Sequence, residues 1–352
     1  MTQEKIDYSI KDLAPDTKAE ISNYINEEPS RSSFALSSRM FGLGEIQDNR
    51  IKTKLVQYMA TGKLEMLVKL LAIRPDLRSA IQPLVQHALF KLAGFGEQDK
   101  MKLILESYPE FFYTYAPLKD ISNVCPAINK GDCKGITVFQ HAVWAGDVFY
   151  MCNMMLDCLP ENEEGEKIRA ELQRQYKELM EHGVVYEVDG KLHFEKQFSV
   201  QSLMGGLSQY VTNYESWAWK EREFHWCKDV GLLQNLLTAH FRHHYCDPEE
   251  SFWNNPNFTK AKLTRTLVFN DVAKNEKQVW DDTVVDLGSK CAISSGPLGG
   301  AGNKFVGSSV AEHDLRALTT LHNVRTNIDL PDLVKRLNSP IQSQKEDYRP
   351  PA

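Results

Sequence analysis

Apolar side chains occupy nearly every position from Val148 to Leu159. A helix with this pattern is expected to pack between neighbours on all sides rather than to lie on a surface. A shorter predicted helix precedes it, with Thr137 placed to cap its N-terminus and Gly146 placed to end it. The pattern therefore predicts a helix–turn–helix hairpin over residues 135–160, and we expect the rest of the chain to be organised around it.

Two similar units precede this hairpin. Residues 62–71 and 96–105 each begin with glycine, continue with a helical pattern and are spaced by about 34 residues. A unit of this kind cannot bury its apolar face alone, so the pattern indicates stacked helical repeats. All three units end in a proline followed by an acidic residue: Arg74-Pro75-Asp76, Tyr108-Pro109-Glu110 and Leu159-Pro160-Glu161.

The period and the segment from Thr137 to Ala142 (TVFQHA) resemble ankyrin repeats, whose usual form at this point is T-P-L-H-x-A. Val138 stands where proline is usual and Gln140 where histidine is usual. The first two units lack the threonine motif. The resemblance covers residues 51–160 and implies a repeat stack that presents a concave surface to a protein partner. An irregular helical bundle is the alternative interpretation.

The pattern changes beyond residue 160. Residues 161–183 place apolar side chains at helical spacing and end in glycine, which predicts an amphipathic helix. Asp189-Gly190 separates two alternating segments and predicts a β-hairpin at 184–195. The remaining expected elements are helices through residue 246 with the last from Val230 to Tyr245, strands at 264–270 and 284–287, a Gly/Ser loop at 294–309 and a helical stretch at 310–337.

These patterns together predict a mainly α fold with ankyrin-like helical repeats and a smaller α+β C-terminal part. The expected domain organisation is an N-terminal cap or arm at 1–50, repeats at 51–160, an α+β domain at 161–338 that contains the 184–195 hairpin, and a polar tail at 339–352.

Composition and charge argue against several classes of protein. The formal net charge of −6 argues against a general nucleic-acid-binding protein, which should carry a basic surplus. The most apolar segment, 142–159, is interrupted by Asp147, Asn153 and Asp157, so we expect no transmembrane segment. No N-terminal apolar region follows a basic start, so we expect no signal peptide. The seven cysteines are scattered and odd in number, which favours a reducing compartment over a disulfide framework.

Histidines are concentrated near residue 240. His240 and His244 are four residues apart and would project from one face of a helix, a geometry that can bind zinc together with Cys246 and Cys227. The metalloprotease motif requires glutamate after the first histidine, and Phe241 stands there. We therefore favour hydrogen-bonded imidazoles at a helix end, and we predict no metal and no cofactor.

Two further segments suggest chemistry. Cys291 could act as a nucleophile with His313 or His322 as its base, although no local signature surrounds it. The Gly-rich loop at 296–307 departs from a phosphate-binding loop, because Asn303 separates the glycine from the lysine. A surface loop or active-site lid is the favoured interpretation of this loop.

Surface contacts can only be placed by position. Trp217, Trp219 and Trp226 could form an exposed cluster, but core packing is the favoured interpretation. The loop before the third unit and the first helix of that unit supply the predicted contacts with a partner: Lys130, Asp132, Lys134, Gln140 and Trp144.

The whole chain also resembles the ankyrin-bearing effectors of intracellular bacteria that are delivered by Dot/Icm type IV secretion. The residues that carry this resemblance are GITVFQHAVWA from Gly135, FSVQSL from Phe198, the segment from Trp226 to Cys246 and the segment from Leu315 to Asp329. The resemblance implies action in the host-cell cytoplasm on a host protein. Delivery signals of such substrates are C-terminal, which fits the hydrophilic tail.

We therefore expect a protein-interaction module that binds a host protein through its repeats. The alternative is an enzyme that modifies a host protein, with Cys/His or zinc chemistry in the C-terminal half. No small-molecule ligand is specified by the sequence.

Overall fold

The computed structural model describes residues 89–90, 92–113, 115–116, 135–188, 191–255, 257–260, 262–280, 284, 286–296 and 299–341. The chain divides into two compact units, 1–88 and 89–352, and all described residues lie in the second. The predicted N-terminal arm, the first repeat unit, most of the loop before the third unit and nearly all of the tail lie outside the described residues.

The described part is mainly helical. The helices are α1 (Gln98–Ser107), α2 (Val138–Trp144), α3 (Asn153–Asp157), α4 (Glu163–His182), α5 (Gln201–Asn213), α6 (Trp219–His225), α7 (Leu232–Gln234), α8 (Ala239–Tyr245), α9 (Ser308–Val324) and α10 (Leu330–Asn338). The strands are β1 (Tyr115–Ala116), β2 (Ile136–Thr137), β3 (Val184–Val188), β4 (Lys191–Glu195), β5 (Val268–Asp271), β6 (Glu276–Val279), β7 (Ala292–Ser294) and β8 (Ala301–Asn303).

Three π-helical turns interrupt this pattern, at Val148–Cys152, Trp226–Gly231 and Arg325–Asp329. Each continues directly into an α-helix, namely α3, α7 and α10. The first and third of these turns pack against each other. Turns of this type occur frequently at functional sites.

The predicted helix–turn–helix hairpin at 135–160 is confirmed. The Thr137 hydroxyl accepts a hydrogen bond from the Gln140 backbone N–H (3.1 Å), and the Gln140 side chain accepts one from the Thr137 N–H (2.9 Å). Gly146 takes φ +83°, a left-handed conformation that favours glycine. Every residue of α2 is buried, so the hairpin lies at the centre of the core. The described residues do not show stacked repeats, and the ankyrin arrangement stays a prediction.

The amphipathic helix predicted at 161–183 is α4, which ends at Gly183 with φ +69°. Its buried Gln175 joins it to the hairpin, because the side chain accepts a hydrogen bond from the Thr137 hydroxyl (2.7 Å) and donates one to the Phe112 carbonyl (2.8 Å). Helix α10 also packs on α4, and α9 packs on α5. The predicted β-hairpin forms from β3 and β4, which pair antiparallel from Val184 with Glu195 to Val188 with Lys191.

The helix predicted from Val230 to Tyr245 is broken between Asn235 and Thr238. Arg242 explains the break, because its guanidinium donates to the carbonyls of Asn235 (3.0 Å) and Leu237 (2.8 Å). These carbonyls are bound by a side chain instead of by the backbone N–H groups of a continuing helix.

The C-terminal sheet corrects the prediction for residues 294–309. Part of the expected surface loop is strand β8, while β7 ends at Ser294, where the expected loop begins. The sheet has the order β6-β5-β8-β7 with β5 and β8 parallel. The glycines in this segment permit close packing, since a Cβ at Gly302 would lie 2.9 Å from the Phe269 ring and one at Gly300 would lie 3.0 Å from Ile293. The strand expected at 284–287 is represented by an isolated bridge between Leu287 and Cys291.

We predict that Gly302→Ala will reduce the free energy of unfolding by about 1–3 kcal/mol, because the buried Phe269 ring has no room to move away from the added methyl group. The matched control is Gly205→Ala in α5, where an added Cβ meets nothing within 4 Å. That control should be stabilising by about 0.5–1 kcal/mol through helix propensity. Urea unfolding followed by fluorescence measures both changes, and equal effects of the two substitutions would contradict the packing argument.

Candidate functional site

The predicted histidine cluster forms around Arg325. His240 and His244 lie on buried α8 with their ring centroids 4.9 Å apart. The Arg325 guanidinium donates from Nε to His240 Nε2 (3.0 Å) and from Nη2 to His244 Nε2 (3.3 Å), and it also pairs with Asp329. Since arginine can only donate, both Nε2 atoms must carry a lone pair. We call His240, His244, Arg325, Asp329, Asp147 and Arg265 the Arg325 cluster.

A second ion pair completes the Arg325 cluster from the hairpin side. Asp147 pairs with Arg265 (Oδ2 to Nη1, 3.0 Å) and lies 3.5 Å from His240 Nδ1. Its carboxylate also accepts a hydrogen bond from the Met151 backbone N–H (3.2 Å) and so caps the first π-helical turn. The Arg325 cluster therefore contains two arginines and two aspartates, and it is formally neutral when both histidines are neutral.

Burial determines the protonation of these histidines. It lowers the pKa of His240 and of His244 well below the ordinary value, because a buried imidazolium loses its hydration; Arg325 lowers both values further. The neighbouring His243 also has its pKa lowered, to about 4, by burial and then by Arg265. His243 differs in geometry, because its two ring nitrogens face the carbonyl oxygens of Thr266 (2.9 Å) and Phe95 (3.0 Å).

The four residues considered for zinc are not brought together. Cys227 Sγ lies 3.3 Å from the Lys304 carbonyl, and Cys246 packs beside Gly300, which precedes β8. Within the described part of the chain, no group of three or more His, Cys, Asp or Glu side chains could hold a metal ion. The position between the two imidazoles is taken by Arg325 Nε and Nη2.

The proposed pairing of Cys291 with His313 is not formed among the described contacts. Cys291 is buried at the sheet, and burial followed by the charge of Asp271 raises its thiol pKa to about 12. His313 donates from Nδ1 to the Ser309 carbonyl (2.6 Å) and packs near Trp253, while His322 contacts Gln201. A thiol with a raised pKa and no adjacent base is a poor nucleophile.

No sequence pattern indicates the buried carboxyl of Asp314 on α9. It accepts hydrogen bonds from the Ser295 N–H (3.1 Å), the Ser295 hydroxyl (2.7 Å) and the Trp253 indole N–H (2.5 Å). Burial raises its pKa to about 7, and these hydrogen bonds oppose the rise only in part. Asp314 joins α9 to the end of β7 and to the turn at Phe252–Asn254.

The predicted partner contacts are only partly described. Lys130, Asp132 and Lys134 lie outside the described residues. Gln140 and Trp144 are buried within this chain, at 3% and 0% exposure. Neither of these two side chains is on a surface that a partner would contact.

The tryptophans divide between core and surface. Trp226 is fully buried, as the prediction of core packing expects. Trp219 is 61% exposed, so the prediction of core packing is wrong for this residue. Phe224 on the same helix is 56% exposed, and α6 has no buried residue at all. Trp219 contacts Phe305 with ring centroids 4.4 Å apart, while Trp217 is stacked on His225 at 3.9 Å. We call Trp217, Trp219, Phe224 and Phe305 the aromatic surface.

A sequence signal for this surface existed. The sequence of α6, WKEREFH, has two large apolar residues five positions apart, so it forms no apolar stripe of the kind that seats a helix on a core. Charged residues of both signs surround the rings: Lys220, Glu221, Arg222 and Glu223. Arg222 is held over the Tyr214 ring at 3.9 Å, which fixes the position of one of these charges.

A cavity of about 600 Å³ with charged residues in its lining lies next to Arg265. It is lined by the start of α1 and by residues near Lys260 and Lys262. Lys260 pairs with Glu249 (2.9 Å) and Lys262 with Asp99 (3.0 Å), so its lysines are already neutralised by neighbouring carboxylates.

Comparison with known families finds a match in the C-terminal half of the chain. Residues 202–337 match the family model described as the CBUA0006 C-terminal domain, a Coxiella-type family, which points to an effector-like protein of intracellular bacteria. This comparison gives no evidence of ankyrin repeats. Searches of curated proteins and of solved structures found no match. Among the described helices, none has the length and apolar character required to span a membrane.

We predict that Arg325→Met will reduce the free energy of unfolding by about 3–5 kcal/mol, because it leaves Asp329 buried without its counter-ion. The matched control is Arg174→Met, which removes an ion-paired but 54% exposed side chain on α4 and should change the free energy by less than about 1 kcal/mol. Urea unfolding at pH 7.5 measures both. A loss for Arg325→Met no larger than that of the control would show that the Arg325 cluster does not hold the fold together.

Proposed function

We propose that this chain is a protein-interaction module of a secreted bacterial effector and that it binds a host protein through the aromatic surface. The observation that supports this most directly is α6, a helix without a buried residue that carries exposed Trp219 and Phe224. Exposed tryptophan and phenylalanine remain in contact with water in the free chain. A partner that covers these rings removes their apolar surface from water, which favours binding.

The chemistry of the surroundings favours a protein partner over a lipid surface. The charges of Lys220 and Arg222 are balanced by those of Glu221 and Glu223, so α6 has no formal net charge. Aromatic groups within a rim of mixed charge are typical of protein interfaces, whereas lipid-binding helices carry a basic surplus. The whole aromatic surface lies within residues 202–337, the part of the chain that matches the effector-like family.

A contribution from the repeats remains part of the proposal. We infer that residues 51–160 form an ankyrin-like stack. The support is the short helix at Val138–Trp144, which Thr137 caps and which is followed by Gly146 in a left-handed conformation. Because Gln140 and Trp144 are buried, any contact from this stack would come from its loops, including Lys130, Asp132 and Lys134.

We predict that Trp219→Ala together with Phe224→Ala will weaken binding to a host protein by about tenfold or more. The free energy of unfolding should change little, because both side chains are exposed in the free chain. Affinity capture from eukaryotic lysate, followed by quantitative mass spectrometry, compares the natural chain with this double variant. The matched control is Phe194→Ala, which removes an aromatic side chain that is 68% exposed on the β3–β4 hairpin.

Three outcomes separate the hypotheses. A protein retained by the natural chain and the control but lost from the double variant supports the aromatic surface. Equal retention by all three chains contradicts it. A captured protein with a mass shift that disappears with Cys291→Ala would instead support the modifying-enzyme alternative, which the buried thiol of Cys291 disfavours.

We further propose delivery into the host-cell cytoplasm by type IV secretion. The support is the match of residues 202–337 to a Coxiella-type family. A reporter enzyme fused to the N-terminus should reach the host cytoplasm from bacteria with an intact Dot/Icm system. The same fusion should remain in bacteria that lack the system, and equal reporter signals from both strains would rule out this route.

A further inference from the structure

The Arg325 cluster joins three separate parts of the chain. Arg325 and Asp329 lie in the π-helical turn between α9 and α10, and the histidines lie on α8. The hairpin contributes the rings of Phe149 and Tyr150, which lie 5.8 Å and 5.7 Å from the guanidinium carbon. The contacts made by one buried cation therefore hold the hairpin, α8 and the α9–α10 turn in register.

Protonation of His240 and His244 would break their hydrogen bonds with Arg325. His240 Nε2 and His244 Nε2 accept hydrogen bonds from the Arg325 guanidinium, and a protonated nitrogen has no lone pair left to accept. Protonation would also place an imidazolium within 3.3 Å of a guanidinium in a site with almost no solvent. Both effects act in the same direction, toward separation of Arg325 from α8.

The charged groups around the two histidines do not offset this repulsion. Asp147 is 3.5 Å from His240 Nδ1 but is already paired with Arg265, and Asp329 is paired with Arg325. Two additional protons would therefore change the Arg325 cluster from neutral to a formal charge of about +2 in a buried site. The titratable and charged groups that face the histidines are Asp147, Tyr150, His243, Arg265, Arg325 and Asp329.

We propose that His240, His244 and Arg325 form an acid-sensitive latch, which keeps the hairpin, α8 and the α9–α10 turn together at neutral pH and releases them when the two histidines take up protons. The latch acts through linkage. A histidine that stays neutral in the folded chain contributes its full stability above its unfolded pKa of about 6.5, and this contribution is lost as the pH falls below that value. The direction agrees with the lowered pKa of both imidazoles, for which burial is the first cause.

The decisive experiment compares the natural chain with the double variant His240→Gln/His244→Gln. Glutamine offers an oxygen that accepts from Arg325 and does not titrate. Between pH 7.5 and 5.5 each neutral buried histidine should raise the unfolding equilibrium constant by about tenfold, so this constant should rise about 100-fold more in the natural chain than in the variant. Urea unfolding at the two pH values measures this difference.

The comparison isolates the latch from other titrating groups. Asp314 has an effect on stability opposite to that of the latch, because its raised pKa makes protonation stabilise the folded chain as the pH falls. Asp314 is present in both proteins, so its effect cancels in the comparison. The effects of the buried histidines His243 and His141 cancel for the same reason. The control His182→Gln removes a 60% exposed imidazole and should leave the pH dependence of the natural chain unchanged.

The place of the opening is tested by hydrogen exchange at pH 5.5. Amides of the turns Val148–Cys152 and Arg325–Asp329 should exchange faster in the natural chain than in the double variant at the same pH. Equal protection in the two proteins, or equal loss of stability between pH 7.5 and 5.5, would overturn the latch.

A measurement on the natural chain covers the case in which the double variant does not fold. Histidine ring signals observed by NMR should show His240 and His244 neutral at every pH at which the chain stays folded. Titration of both rings near pH 6.5 in a folded chain would overturn the latch, because protonation would then be compatible with the contacts to Arg325.

Discussion

The structure depends on how a buried guanidinium is satisfied. Arg325 cannot lose its charge at any ordinary pH, so each of its three nitrogen atoms needs an acceptor inside the fold. Two imidazoles and one carboxylate supply them, and their positions require α8 and the α9–α10 turn to meet at one point. The aromatic residues of the hairpin complete the site. Burying a charge in this way costs desolvation, which complementary geometry offsets, and it specifies one arrangement of three elements.

This arrangement crosses the boundary of the matched family. Residues 202–337 contain α8, Arg325 and Asp329, whereas Asp147 and Tyr150 come from the hairpin before it. His240 faces both Arg325 and Asp147, so the C-terminal part and the hairpin share one buried network. The aromatic surface lies on a different part of the same region and takes no part in this network. Stability and the proposed recognition are therefore assigned to separate residues.

Much of the local structure could be predicted, because it depends on neighbours in the chain. Thr137 with Gln140, Gly146 and Gly183 specify helix ends through bonds and backbone angles within a few residues. The β3–β4 hairpin follows from an Asp-Gly pair between alternating segments. The Gly-rich segment does not form the predicted surface loop throughout. Its glycines allow close packing against Phe269 and Ile293, which lie on other strands of the sheet, and this packing has no signal in the segment itself.

The helical character, the central hairpin, α4 and the closeness of His240 and His244 on one helix face follow from sequence patterns. What those imidazoles contact depends on tertiary packing, because Arg325 lies far away in the chain and reaches them through the packing of the α9–α10 turn. Tertiary packing also leaves Trp219 exposed while it buries Trp226. Burial is set by what packs against a residue, and for these side chains the neighbours are distant in sequence.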